Sequence, residues 1–365
     1  MKNDFDHFSG TQSMSGDKVL DLTKLESWLH NNITNFKGPL SVDSFKGGQS
    51  NPTYLLITPS KNYVLRSKPA PAAKLLPSAH AIEREFKIMT GLQRTCVPVP
   101  KMFCLCEDES VIGRAFYVME YIVGRVLWDQ TLPGFVPAER EKIYDEMNRI
   151  QSALHQINYV AHGLEDFGKS GNYFERQITR WSKQYQASVT RPIPEMDMLI
   201  EWLPTHIPEM AKSSNMVSIV HGDYRLDNLV FHPTEARVIA VLDWELSTLG
   251  HPLADFSYHC MAWHIPPGSF RGIGGLDLKK LGIPSEDDYI KKYCERTKVT
   301  DFYTLKEDWD FYLAYNMFRL AAILQGIAKR VEVGTASSEQ AIKSGAGAKP
   351  LAKMAWGFAQ KSATK

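Results

Sequence analysis

Short alternating runs fill the first third of the chain, and longer stretches with apolar residues every third or fourth position follow, so strands are expected early and helices later. Residues 40–45, 54–57 and 63–67 read as strands, and the first two flank a polar turn holding Gly47 and Gly48. The proline-rich stretch 69–77 excludes a regular helix or central strand. Residues 79–92 then resume a helical period through Ile82, Phe86, Met89 and Leu92. Prolines at 98 and 100 break the chain, 102–106 and 116–120 read as further strands, and 121–124 as a connector. Beyond Gly124 the pattern turns helical. A helix is expected to start at Pro137 and run through Ile143, Met147, Ile150 and Leu154. Others are expected at 172–189, 195–203, 285–296 and 304–331, with a last one over 337–365 that frays at its end. Set among them, 217–220, 229–231 and 238–242 are apolar runs short enough to be buried strands.

The candidate chemistry sits at the ends of those short strands. His221-Gly-Asp-Tyr-Arg-Leu-Asp-Asn228 follows the first, and Leu242-Asp-Trp-Glu245 follows the last. Phosphoryl transfer needs positioning and charge neutralisation more than covalent chemistry, which is what a carboxylate, a carboxamide and a second carboxylate in this order can supply. Asp223 is the expected catalytic carboxylate. Its ordinary pKa of about 3.9 lies roughly twelve units below that of water, so it must orient an alcohol first and take the proton late. Asn228 and Asp243 are hard oxygen donors suited to Mg²⁺. The glycines at 47 and 48 let backbone approach phosphate. Each half alone also fits a plain turn or loop cap; the two in order, with strands between, point to a kinase.

With these motifs the chain resembles the aminoglycoside phosphotransferase-like branch of the protein-kinase-like superfamily, over nearly its whole length. Gly47-Gly-Gln-Ser-Asn-Pro-Thr-Tyr54, Tyr63-Val-Leu-Arg66 and Leu75-Leu-Pro-Ser-Ala-His80 ahead of Glu83-Arg-Glu85 resemble most the kinase-like domain found fused to acyl-CoA dehydrogenases. The resemblance implies an α+β bilobal protein-kinase-like fold, with an N-terminal antiparallel sheet plus helix and a mainly helical C-terminal lobe. ATP is expected between the lobes and the acceptor over the second. The expected division is 1–19 as a disordered or appended start, 20–120 as the nucleotide-binding lobe, 121–124 as the hinge and 125–365 as the catalytic and acceptor-binding lobe.

The resemblance also distributes roles. Gly47, Gly48, Ser50 and Asn51 are expected at the phosphates, and Arg66 stands where the superfamily has a phosphate-gripping lysine, a swap that is not neutral. Lys68 or Lys74 could share that task. Glu85 matches the register of the carboxylate that pairs with the strand cation. Glu120 and Ile122 are expected to meet adenine through their main chain. Arg225 would face the transferring phosphoryl group, against a plain reading as a surface arginine paired with Asp227, and Asp255 with His221 would brace the catalytic loop. Trp244 and Glu245 replace the Phe-Gly of protein kinases, which argues against an activation segment of that type.

A second constellation competes. His251, Asp255 and His259 fall at i, i+4 and i+8, a spacing that could hold zinc, with His264 nearby. His251 precedes Pro252 and so starts a helix, which favours the brace for Asp255 and packing roles for His259 and His264. His155 is expected to be structural.

Composition narrows the rest. The 365 residues carry 42 basic and 41 acidic side chains, so no net field favours nucleic acid or a membrane. Five scattered cysteines, Cys104 and Cys106 on one strand face, suit reduced thiols in the cytoplasm. No signal-peptide or spanning pattern is read. The expected function is ATP- and Mg²⁺-dependent transfer of a γ-phosphate to a small-molecule hydroxyl by a monomer or homodimer. Met196, Met198, Trp202, Trp263 and Phe270 suggest a partly apolar acceptor, and the resemblance to dehydrogenase-fused domains implies a hydroxyacyl compound. An aminoglycoside, amino-alcohol or sugar kinase and a catalytically silent nucleotide-binding module are the alternatives.

Overall fold

The computed structural model describes residues 10–13, 20–46, 51–69, 81–268, 271–335 and 339–362. Strands form at β1 (Thr11–Ser13), β2 (Ser41–Phe45), β3 (Thr53–Ile57), β4 (Asn62–Ser67), β5 (Met102–Cys106), β6 (Phe116–Glu120), β7 (Arg125–Val126), β8 (Ser218–Val220), β9 (Leu229–Phe231), β10 (Val238–Val241) and β11 (Thr248–Gly250). Helices form at α1 (Leu22–Asn32), α2 (Ile82–Leu92), α3 (Pro137–His155), α4 (Tyr173–Ser188), α5 (Pro194–Thr205), α6 (Glu209–Lys212), α7 (Pro252–Cys260), α8 (Leu278–Leu281), α9 (Glu286–Thr297), α10 (Phe302–Glu332), α11 (Glu339–Ala346) and α12 (Ala348–Ser362). The chain divides into two compact units, one of residues up to 128 with 160–167 and 227–247, the other of 129–159, 168–226 and 248 onward.

The first unit is built on an antiparallel sheet in the order β1-β2-β3-β4-β6-β5. Strand alternation sends Tyr54, Leu56, Tyr63, Leu65, Phe116 and Val118 to one face, where they join Leu25, Leu29, Ile33 and Phe36 from and after α1. Asp21 caps α1 by accepting from the Lys24 amide at 3.1 Å. Arg66 and Tyr117, which are register partners on β4 and β6, therefore belong to the opposite face. That face is where α2 contributes Glu85. A smaller sheet, β10-β9-β7, completes the unit. At Gly124, just before β7, an added Cβ would stand 2.4 Å from the Phe231 carbonyl oxygen, so this close approach requires glycine.

The second unit is helical around the β11-β8 pair. Its spine is α10, whose residues are almost continuously buried from Phe311 to Ala322, as a helix surrounded by others must be. Asp301 caps it by accepting from the Tyr303 and Thr304 amides. The single terminal helix expected over 337–365 is instead two, α11 and α12. They part at Gly347, and Pro350 sits in the first turn of α12, where it breaks no helical hydrogen bond. Among the described residues no helix is long and apolar enough to cross a membrane.

Candidate active site

In the first unit one guanidinium gathers three carboxyl groups. Arg66 Nε lies 3.0 Å from Glu85 Oε2, and its Nη2 lies 3.0 Å from Asp243 Oδ1 and 3.5 Å from Glu245 Oε2. The Nε contact is a close ion pair rather than an aligned hydrogen bond. Burial by itself would lower the Arg66 pKa, but Glu85, Tyr117, Asp243 and Glu245 together raise it, so the cation is secure. Glu85 is 1% exposed and accepts from Asn51 Nδ2 at 2.8 Å and from the Tyr117 hydroxyl at 3.0 Å. Its burial raises its pKa against the pull of Arg66. Glu83, two residues earlier on α2, pairs with Lys68 instead.

Asn228 and Asp243 come together through strand register. The Leu242 amide donates to the Asn228 carbonyl at 2.8 Å, and Val241 pairs with Leu229 in the β9-β10 ladder. The Asn228 and Asp243 positions therefore stand at one end of the same hairpin. Asp243 has a φ of +63°, a left-handed conformation that Asp tolerates better than bulky residues. An amide oxygen and a carboxylate are hard donors, a donor set that fits Mg²⁺.

In the second unit the loop after β8 rests on α7. Asp255 Oδ2 accepts from the His221 amide at 2.9 Å and Oδ1 from the Gly222 amide at 2.7 Å. His155 Nε2 lies 3.2 Å from Asp255 Oδ2, with its Nδ1 2.7 Å from the Tyr293 hydroxyl. Burial works to raise the Asp255 pKa, but the hydrogen bond and charge of His155 and the contributions of His221 outweigh it and bring it to about 2. Gly222 has a φ of +83°, which favours glycine. The Asp223 amide donates to His221 Nδ1 at 3.3 Å. Asp223 itself is 16% exposed, with Oδ1 accepting from the Tyr258 hydroxyl at 2.6 Å and Oδ2 3.0 Å from Arg225 Nη2.

The remaining expected residues fall as follows. Asn51 is fully buried with its amide on Glu85. The Glu120 amide donates to the Lys101 carbonyl at 2.8 Å, and Ile122 follows β6 in the connector. Gly47, Gly48, Ser50, Lys74 and Phe270 lie outside the described residues. The zinc constellation resolves into separate tasks: His251 caps α7 through Nδ1 on the Leu253 amide, Asp255 holds the loop, and His259 Nε2 lies 3.1 Å from the Tyr289 hydroxyl. Met196 and Trp263 are core residues at 0% and 7% exposure, so they do not speak for an apolar acceptor surface. Unanticipated are Glu245, Tyr117 and Tyr258. Tyr258 falls one turn after Asp255 on the same helix, a spacing that could have flagged it.

A family profile described as "Phosphotransferase enzyme family" matches residues 41–278, which takes in both motifs. The chain belongs to this family. It is 47% identical over 331 residues to acyl-CoA dehydrogenase family member 10 of Mus musculus, covering 90% of this chain but only 30% of that relative's length. A crystal structure of a Ralstonia eutropha protein, provisionally described as an aminoglycoside phosphotransferase, is 59% identical, covers 94% of this chain and 99% of its own, and superposes with a TM-score of 0.86. Choline kinase from Cryptosporidium parvum, at 12% identity, a TM-score of 0.63 and 94% and 96% coverage, shares the fold. The chain is thus a phosphotransferase-family member with the kinase-like fold, an N-terminal antiparallel sheet with helices and a mainly helical remainder.

Proposed function

We propose that the protein transfers the γ-phosphate of ATP to a hydroxyl group of a small molecule, with Mg²⁺ as the required metal. The reading rests chiefly on one observation: Asn228 and Asp243 share one end of the β9-β10 hairpin, directly after the loop that carries Asp223. Asn228 and Asp243 would hold the metal, which would neutralise negative charge on the phosphates. Asp223 accepts a hydrogen bond from the acceptor hydroxyl and takes its proton as the bond to phosphorus forms. Arg225 offsets charge developing beside Asp223. Arg66 supplies positive charge at the phosphates from its anchorage on Glu85, and Asp255 with His221 fixes the loop.

A hydroxylated acyl compound, free or as a CoA thioester, is the acceptor we favour, since the mouse relative bears the name of an acyl-CoA dehydrogenase family member. The name of the Ralstonia protein favours an aminoglycoside instead. Against that stands Arg225, whose ion pair at 3.0 Å offsets the Asp223 charge that would otherwise attract a polycationic acceptor. A panel of Mg·ATP or Mg·GTP with hydroxyacids, hydroxyacyl-CoA thioesters, choline and aminoglycosides, read by thermal shift and ADP release, tests nucleotide and acceptor together. Asp223→Asn should lower turnover by about 10² or more while still binding ATP. Equal phosphorylation by variant and parent would remove Asp223 from its role, and ATP use with aminoglycosides alone would remove the acyl acceptor.

A further inference from the structure

We propose that Tyr258 is the positioning residue for Asp223, holding its carboxylate in the one orientation that receives an acceptor hydroxyl. The inference rests on the reading of Asp223 given above and adds a residue that neither motif contains. One face of α7 addresses three consecutive loop residues. Asp255 takes the amides of His221 and Gly222, and Tyr258, a turn later, reaches Asp223 Oδ1 at 2.6 Å. That length belongs to a charge-assisted hydrogen bond, stronger than a phenol makes to a neutral acceptor. The phenol is the donor: burial first, and then the Asp223 charge, raise its pKa above the usual value, so it keeps its proton.

The phenol is itself fixed. Its ring is 7% exposed, and the Arg319 guanidinium stands 5.2 Å from the ring centroid while donating to the Gly222 carbonyl at 2.8 Å. Arg319 from α10 and Tyr258 from α7 therefore grip adjacent loop residues. An ionised carboxylate has about four acceptor positions. Tyr258 and Arg225 engage one oxygen each, which resists rotation about the Cβ–Cγ bond. A tyrosine that merely packs would also seek a partner for its hydroxyl. It would not need to find one on the most chemically committed side chain of the unit, itself partly open to solvent.

Tyr258→Phe keeps the ring and removes the donor. ADP release from Mg·ATP with water as acceptor should fall by about tenfold in kcat with the KM for ATP unchanged, since the residue acts on the reacting geometry and not on nucleotide binding. In an Asp223→Asn background the same change should cost nothing further, because two residues that act as a unit are not additive. A crystal structure of Tyr258→Phe should show the Asp223 carboxylate rotated, which decides the matter even if water proves too poor an acceptor to give a rate. A silent Tyr258→Phe beside an inactive Asp223→Asn, additive losses in the double variant, or an unmoved carboxylate each overturn the proposal alone. An Asp223→Asn variant as fast as its parent overturns the functional reading, and this proposal with it.

Discussion

The two units hold their buried charge by opposite means. In the first, Glu85, Asp243 and Glu245 converge on the guanidinium of Arg66, so carboxyl groups are crowded around one cation. In the second, Asp255 is satisfied by two backbone amides and His155, and Asp223 by a phenol and Arg225. A carboxylate held by amides is complete without a ligand, whereas a crowded set of carboxylates is costly until its charge is matched. On the proposed function, the first arrangement is the one that would respond to a metal-bound nucleotide. The second is a preformed support whose task is to keep one loop in place.

Acid should separate the units most sharply. Burial brings the pKa values of His251 and His259 down to about 4 from the usual 6.5, so both imidazoles are neutral in the folded protein. The unfolded chain takes up protons at these sites near pH 6.5 and the folded chain does not. Their stabilisation is therefore complete above 6.5 and is lost as pH falls toward 4, at roughly 3 kcal/mol for each group. Asp255, lowered from 3.8 to about 2, adds a smaller loss as pH falls from about 4 toward 2. All three groups lie in the second unit. Hydrogen exchange followed by segment should show residues 248–268 losing protection between pH 6.5 and 4 ahead of strands β3 and β4. Simultaneous loss in both would erase the contrast.

Removing the brace is the next largest effect. Asp255→Ala strands the His221 and Gly222 amides and leaves His155 without its carboxylate, a deletion of one buried partner that costs roughly 3–5 kcal/mol. Urea denaturation should show that loss. The deficit should persist in saturating Mg·AMP-PNP when the two proteins are compared under identical ligand conditions. A cost under about 1 kcal/mol would mean the loop is held elsewhere.

The contrast also explains what could be read from the chain before folding. Strands β3 to β6 and helices α3, α4, α9 and α10 were legible because each carries an apolar period of its own. Helix α1 was passed over although Leu25 and Leu29 stand four apart behind an Asp cap, a short signal that becomes clear only against the sheet it covers. Asp223, Asn228 and Asp243 were visible because their chemistry is concentrated in two runs. The company kept by Arg66 was not. Its contact with Glu85 follows from the register of a strand and a helix, but Asp243 is 177 residues away in the chain, and Glu245 looked like a mere replacement for glycine. Tyr258 was hidden for another reason: a helical tyrosine among apolar residues reads as packing, and only geometry shows where its hydroxyl goes.

The weakest member of the first cluster gives the finest test. Glu245 Oε2 stands 3.5 Å from Arg66 Nη2 with its side chain 25% exposed, so as an ion pair it contributes no more than about 1 kcal/mol. Removing its charge also relieves crowding with Glu85 and Asp243, which opposes that loss. Glu245→Gln should therefore leave the ligand-free melting temperature within about 3 °C of the parent, because 1 kcal/mol moves a protein of this size by only a few degrees. The stabilisation gained from Mg·AMP-PNP should shrink in the same variant, since part of the negative charge that favours an incoming cation is gone. The opposite result, a melting temperature lowered by 5 °C or more with the nucleotide shift intact, would make Glu245 a structural partner of Arg66. The first unit would then resemble the second, with its charges matched from within.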